Sequence, residues 1–331
     1  MRAVITSVAV AVAVLAGAPT ADAYLKLGTR IGTRIANLRF NTFPVRYFVT
    51  NRDVPGVTAP QLQQSVERAF ASWSAIANTG VSSQFAGLTG ASPVSGDNAN
   101  VIGFTTRADL DRVLGSTSFT VDTLTGEILE ADIFLNATFA WSVAAAGEPG
   151  RQDVESIALH EIGHLYGLGH SMLGETELFG GGRRVLGAEA VMFPIAFASG
   201  GLNRTPRADD IAGFSDIYAN DRFRNATGSI SGRVTKGGTG VVGAHVVAFH
   251  PATGKLVATF TLSQDGAFAI AGLEPGLHVL RVEPLDDADV TSFLDTSFKV
   301  DMDFKVAFYN RIVTVPRGGT ARNVDMTVVA K

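Results

Sequence analysis

The 331-residue chain contains no cysteine. Disulfides, thiolate metal sites, a thiol nucleophile and lipid attachment through an N-terminal cysteine are therefore excluded. Basic residues are slightly outnumbered, 27 Lys and Arg against 31 Asp and Glu, for a net charge of −4, and no Lys/Arg-rich run occurs. Nucleic acid and anionic membrane surfaces are poor partners for such a chain. No apolar stretch approaches the roughly 20 residues that a spanning helix needs. Residues 3–15 come nearest; Arg2 precedes them and Ala21-Asp22-Ala23 follows. That order is the pattern of an export signal with a small-residue cleavage site. The expected mature chain begins at Tyr24 and is secreted (extracellular) or periplasmic, with no stable membrane insertion once the signal is removed. Without disulfides its stability must come from core burial, and more than 300 residues suffice for two domains.

What the chain does carry is concentrated in His160-Glu161-Ile162-Gly163-His164-Leu165-Tyr166-Gly167-Leu168-Gly169-His170. Two histidines four apart on a helix lie about 6 Å apart along its axis and can share one metal ion. Glu161 is offset around the helix, placed to hold a metal-bound water. Gly167 can adopt the left-handed conformation that stops a helix, so that His170 turns back as a third ligand. Three protein ligands and an open fourth position define a catalytic zinc site. The expectation is one catalytic Zn2+ held by His160, His164 and His170, with Glu161 as general base for amide hydrolysis.

Around this motif the segments 45–50, 101–105, 116–121 and 127–134 read as strands. Residues 59–78 carry a helical apolar stripe through Leu62, Val66, Phe70 and Trp73, with Thr58 as N-cap and Pro60 in the first turn. Residues 151–166 read as the motif helix, and Thr205-Pro206 opens a last helix through Asp209 and Asp210. After 228 short β-type runs alternate with glycine turns, a sandwich pattern.

The zinc motif, followed by Ser171, resembles the extended signature of the metzincin peptidases and most of all the matrixins. Ala190-Val191-Met192-Phe193-Pro194 resembles their Met-turn. The resemblance implies that Met192 supports the site without ligating and that Phe193 and Pro194 wall the pocket for the residue after the cleaved bond. It implies structural hydrogen bonds for Asp209 and Asp210, and makes 130–136 the edge strand on which peptide substrate is laid. Two departures stand out. Twenty-one residues separate His170 from Met192, including Gly180-Gly181-Gly182 and Arg183-Arg184, a loop expected to border the cleft. A cysteine-bearing propeptide is impossible. Ca2+ is left without assigned ligands.

Ile230-Ser231-Gly232-Arg233-Val234, Gly243-Ala244-His245-Val246 and Asp265-Gly266-Ala267-Phe268 resemble the carboxypeptidase regulatory-like, transthyretin-like sandwiches. Protein, carbohydrate or a surface ligand are the candidate partners of this part. His245, His250 and His278 read as partly exposed strand residues, and Glu283, Asp286, Asp287 and Asp289 as a solvated acidic loop. The expected fold class is α+β, a matrixin-like domain with a twisted mixed sheet and long helices, followed by an all-β sandwich. The segments are 1–23 signal peptide, 24–42 extension, 43–220 peptidase domain, 221–227 linker and 228–331 sandwich. The function read from them is a secreted zinc endopeptidase acting on extended protein or peptide substrates through Glu-assisted attack of metal-bound water. The alternative is a zinc-binding adhesion or interaction protein with an idle peptidase domain. Oligomeric state is not legible.

Overall fold

The computed structural model describes residues 26–31, 34–94, 96–179, 182–197, 200–294 and 299–331. The expected export signal at 1–23, Tyr24, Gly180 and Gly181 lie outside the described residues. Packing divides the chain into two units, one chiefly Ala36–Gly167 with Ala196–Pro206, the other chiefly Leu168–Ile195 with Arg207–Lys331. No described helix is long and apolar enough to cross a membrane.

The first unit is a mixed sheet with two helices. Its strands are β1 (Val45–Thr50), β2 (Ser83–Thr89), β3 (Val101–Thr105), β4 (Gly115–Val121) and β5 (Ile128–Asn136), in the order β2-β1-β3-β5-β4. β2, β1, β3 and β5 run parallel, and β4 pairs antiparallel with β5. This overturns the expectation that 130–136 is the edge strand: β5 is paired on both sides, and β4 is the edge. Burial gives the reason. β5 is covered along almost its whole length, as an interior strand must be, whereas β4 is only half-buried at most positions.

Helix α1 (Ala59–Ser74) lays Leu62, Val66, Ala69, Phe70 and Trp73 on the core. Tyr47 of β1 stacks on Phe70 with ring centroids 4.0 Å apart. Burying each large side chain stabilises the unit by roughly 1.5–3 kcal/mol. Gln61 Oε1 accepts from the Thr58 amide at 2.9 Å, and Asp53 Oδ1 from the Ala59 amide at 2.6 Å. The helix stops at Ser74, short of residue 78, and Asn78 and Gly80 beyond it take left-handed φ values of 67° and 68°. Helix α2 (Val154–Leu165) starts at the N-cap Asp153, whose carboxylate accepts from the Ser156 amide at 2.9 Å. It begins three residues later than the pattern suggests, because Gln152–Asp153 is extended and pairs with Trp141–Ser142. Trp73 Nε1 donates to the Leu159 carbonyl at 2.9 Å, fixing α1 to α2.

The second unit is β-rich. The long loop after His170 is a hairpin, β6 (Gly174–Phe179) with β7 (Gly182–Ala188). Helix α3 (Ala208–Tyr218) follows, and the stretch expected as a linker forms the short helix α4 (Asp221–Ala226), capped by Asn220. Strands β8 (Gly228–Lys236), β9 (His245–His250), β10 (Lys255–Phe260), β11 (Ala267–Leu273) and β12 (Gly276–Glu283) are divided between two sheets. Ile230, Phe268 and Ile270 from one and Val246, Val257, Leu280 and Val282 from the other fill one core, which Ala212 of α3 joins. Asp209 Oδ1 accepts from the Ala258 amide at 2.8 Å. These contacts place α3 with the β-rich part, although the sequence pattern divides the chain after it.

His245, His250 and His278 are buried, not partly exposed. Their strands are interior or paired over the core, and His245 Nδ1 bonds Glu283 Oε1 at 2.9 Å. The acidic loop is engaged in part, with Asp286 and Asp289 exposed as the sequence suggests. Asp287 accepts from the Thr176 amide at 3.0 Å, Asp286 pairs with Lys331 at 3.3 Å, and Glu283 pairs with Arg281 at 3.1 Å.

Candidate metal centre

Helix α2 sets His160 and His164 one turn apart, with their Nε2 atoms 3.1 Å from each other and the rings nearly perpendicular. Two nitrogens bound tetrahedrally at about 2.0–2.1 Å to one zinc ion are about 3.3 Å apart, so the pair fits a shared ion. Gly167, at φ 93°, ends the helix, and its amide donates to the His164 carbonyl at 2.7 Å. A side chain there would strain the turn. Three residues on, His170 completes the motif. One ligating nitrogen from each of the three histidines lies within 4.8 Å of the others. Among the described residues no other group of three or more His, Cys, Asp or Glu is gathered in this way. The donor set is all imidazole with three members, the chemistry of an open zinc site.

Glu161 is buried at 4% exposure. Its Oε2 accepts from Thr117 Oγ1 at 2.8 Å, and the same hydroxyl lies 3.0 Å from its carbonyl oxygen. Burial raises its pKa to about 7, against the opposing pull of the Thr117 hydrogen bond. Gly115 of β4 faces the same carboxylate: a Cβ there would stand 3.0 Å from Glu161 Oε1. Thr117 and Gly115 share one face of the strand.

In the second unit, the Ser171 amide donates to the Met192 carbonyl at 2.9 Å, binding the end of the motif to the 190–194 segment. Asp210 accepts from the amides of Val191 at 2.8 Å, Met192 at 3.1 Å and Arg207 at 2.8 Å. Asp209 Oδ2 accepts from Ser171 Oγ at 2.6 Å. Both carboxyls are buried, and desolvation raises their pKa values, to about 7 for Asp209 and about 6 for Asp210. Phe193 packs on Gly174, where a Cβ would come within 2.7 Å of its ring.

The matrixin family model matches residues 39–179. That segment is a matrixin-like metzincin domain. Metalloendoproteinase 5-MMP of Arabidopsis thaliana is 38% identical over 78 residues, 23% of this chain and 17% of that protein. The chain thus spans under a fifth of that relative's length. Among solved structures, the Bacillus anthracis TIE protein aligns with 32% of this chain and 17% of its own, at 15% identity and a TM-score of 0.20. The matrixin-like domain supports a metallopeptidase, and the gathered histidines fit the zinc that matrixins bind.

Within and beyond the matrixin-like domain, three residues near these groups escape the sequence pattern. Thr117 and Gly115 were hidden because period-two alternation does not say which face of a strand meets a helix. The third is Ser292, whose carbonyl oxygen lies 2.5 Å from His170 Nδ1, 122 residues along the chain. No local motif marks it.

Proposed function

We propose that this protein is an exported zinc endopeptidase acting on extended protein or peptide substrates. The observation that carries the reading is Glu161, a buried carboxylate oriented by Thr117 and adjacent to the first of three gathered histidines. His160, His164 and His170 would hold the ion. Zinc, when bound, polarises a substrate carbonyl and makes water a nucleophile near neutral pH. Thr117 holds Glu161 Oε2, which directs Oε1 to the reacting water. Glu161 takes the water proton as oxygen attacks the peptide carbon, then returns it to the amine as the C–N bond breaks. The antiparallel edge strand β4 offers its outer backbone groups to a peptide that adds as a further strand. Met192 supports the site, and Phe193 with Pro194 walls the pocket for the residue after the cut. Gly167, Asp209 and Asp210 hold the surrounding chain.

The β-rich part is assigned to the carboxypeptidase regulatory-like sandwiches, supported by two sheets around one core. Export rests on the residues 2–23 pattern; N-terminal sequencing of protein recovered outside the cell, beginning at Tyr24, checks it. Cleavage of casein or a peptide library by the mature chain tests the enzyme reading. Activity lost to a chelator, restored by zinc and absent in Glu161→Ala is the expected result. Equal cleavage by wild type and Glu161→Ala defeats the mechanism.

A further inference from the structure

We infer that a turn of the C-terminal β-rich part, 290–293, positions the third metal ligand: the Ser292 carbonyl fixes the tautomer and orientation of His170, and Phe293 holds that carbonyl in place. The inference rests on the zinc reading above.

The local chain explains why this carbonyl is offered. Val290–Ser292 forms one 3-10 turn, with the Ser292 amide bonded to the Asp289 carbonyl at 2.8 Å. The amides of Phe293 and Leu294 both return to the Val290 carbonyl, at 3.0 and 2.9 Å. The final carbonyls of so short a turn have no donor within it. That of Ser292 meets His170 Nδ1 at 2.5 Å. A carbonyl oxygen only accepts, so the His170 Nδ1 carries the proton and Nε2 carries the lone pair. Nε2 is also the nitrogen that His160 and His164 bring together.

The turn is itself anchored. Phe293 and Leu294 are fully buried. The Phe293 ring lies 5.8 Å from that of Phe260 on β10 and meets the His170 ring edge-on at 6.4 Å. The three histidines differ in their need for such help. His160 and His164 ride on a continuous helix, whereas His170 lies in irregular chain beyond Gly167. A ligating imidazole outside regular structure is oriented by the partner of its other nitrogen. Here that partner lies outside residues 39–179, the segment matched by the matrixin family. The β-rich part is therefore a support of the third ligand and not only an appended binding module.

The test measures zinc affinity of the full chain by competition with a chromophoric chelator. Phe293→Ala is expected to weaken binding about 10–100-fold, the usual cost of losing an outer partner of a ligand. Phe293→Leu, which refills the core, recovers most of that loss, and Thr291→Ala, at an exposed position of the turn, stays within about two-fold of wild type. A folded Phe293→Ala chain with wild-type affinity overturns the inference. Should that variant not fold, the wild type decides by imidazole 15N NMR of the zinc-loaded chain. An exchange-protected proton on His170 Nδ1, identified by its loss in His170→Gln, is expected. A proton on His170 Nε2 overturns the inference while leaving the zinc reading intact; failure of the wild type to take up zinc sinks both.

Discussion

Thr117 Oγ1 donates to Glu161 Oε2 across 2.8 Å, joining an edge strand to the helix that carries two of the three histidines. Both residues are buried, so the bond is shielded from water and is made to a carboxylate. Hydrogen bonds of that kind contribute roughly 1.5–3 kcal/mol. Thr117→Val keeps the volume and deletes the donor. Its kcat/KM on a peptide substrate should fall about 10–100-fold, one decade per 1.4 kcal/mol, with zinc content unchanged. Thr117→Ser should restore most of the rate. A Thr117→Val enzyme as active as wild type would show that Glu161 needs no such support.

Glu161→Gln removes the proton acceptor and preserves shape. General-base catalysis is worth about 10^2–10^4-fold, and kcat should drop by at least that much. Since the group proposed to hold the ion is made of histidines alone, zinc stoichiometry measured on the purified variant should stay at the wild-type value. Loss of the metal together with activity would instead make Glu161 a ligand or a structural support.

Gly115 is where β4 passes the carboxylate. An added Cβ would stand 3.0 Å from Glu161 Oε1 and 3.2 Å from the Phe134 carbonyl oxygen, a backbone atom with no freedom to withdraw. Gly115→Ala should cost about 1–3 kcal/mol of stability in a denaturant titration, and lower kcat more than it raises KM. Wild-type kinetics in this variant would mean that Oε1 does not need that space.

The two helices and the gathered histidines were legible because their signals are local. Caps, an apolar stripe and an eleven-residue motif each lie within a few turns of chain. Strand order is not local. Residues 115–121 alternate, and that pattern alone does not say whether their strand or its partner is outermost. A cue was nevertheless present in Ala131-Asp132-Ile133-Phe134-Leu135, a nearly unbroken apolar run of the kind that marks a strand covered on both faces. The buried histidines of the β-rich part were misread for a related reason. An isolated polar residue in a strand pattern looks solvent-facing until its partner, here Glu283 for His245, is known. Ser292 lies beyond any such reading, since its contribution is a backbone carbonyl that every residue type possesses.

Asp132 of β5 supplies a test by pH away from the histidines. Its Oδ1 accepts from the Val101 amide at 2.9 Å, while Oδ2 is buried without a hydrogen-bond partner. Burial raises its pKa to about 8 against the pull of the Val101 amide, helped by the neighbouring Glu130 carboxyl and the negative charge of Asp97. Glu130 is itself engaged by the amides of Gly96 and Asn98, at 2.5 and 2.7 Å. The folded chain thus holds a proton on Asp132 that the unfolded chain releases near the ordinary carboxyl value of about 4. Between those limits the native state binds more protons, so stability falls as pH rises. The contribution is full below about pH 4 and is lost as pH climbs through about 8. Asp132→Asn carries an amide where the neutral acid stood and does not titrate. Chemical denaturation of both proteins from pH 5 to 9 should show the wild type losing stability relative to Asp132→Asn by a few kcal/mol. A difference that stays constant across that range would mean that Asp132 is ionised in the folded protein throughout.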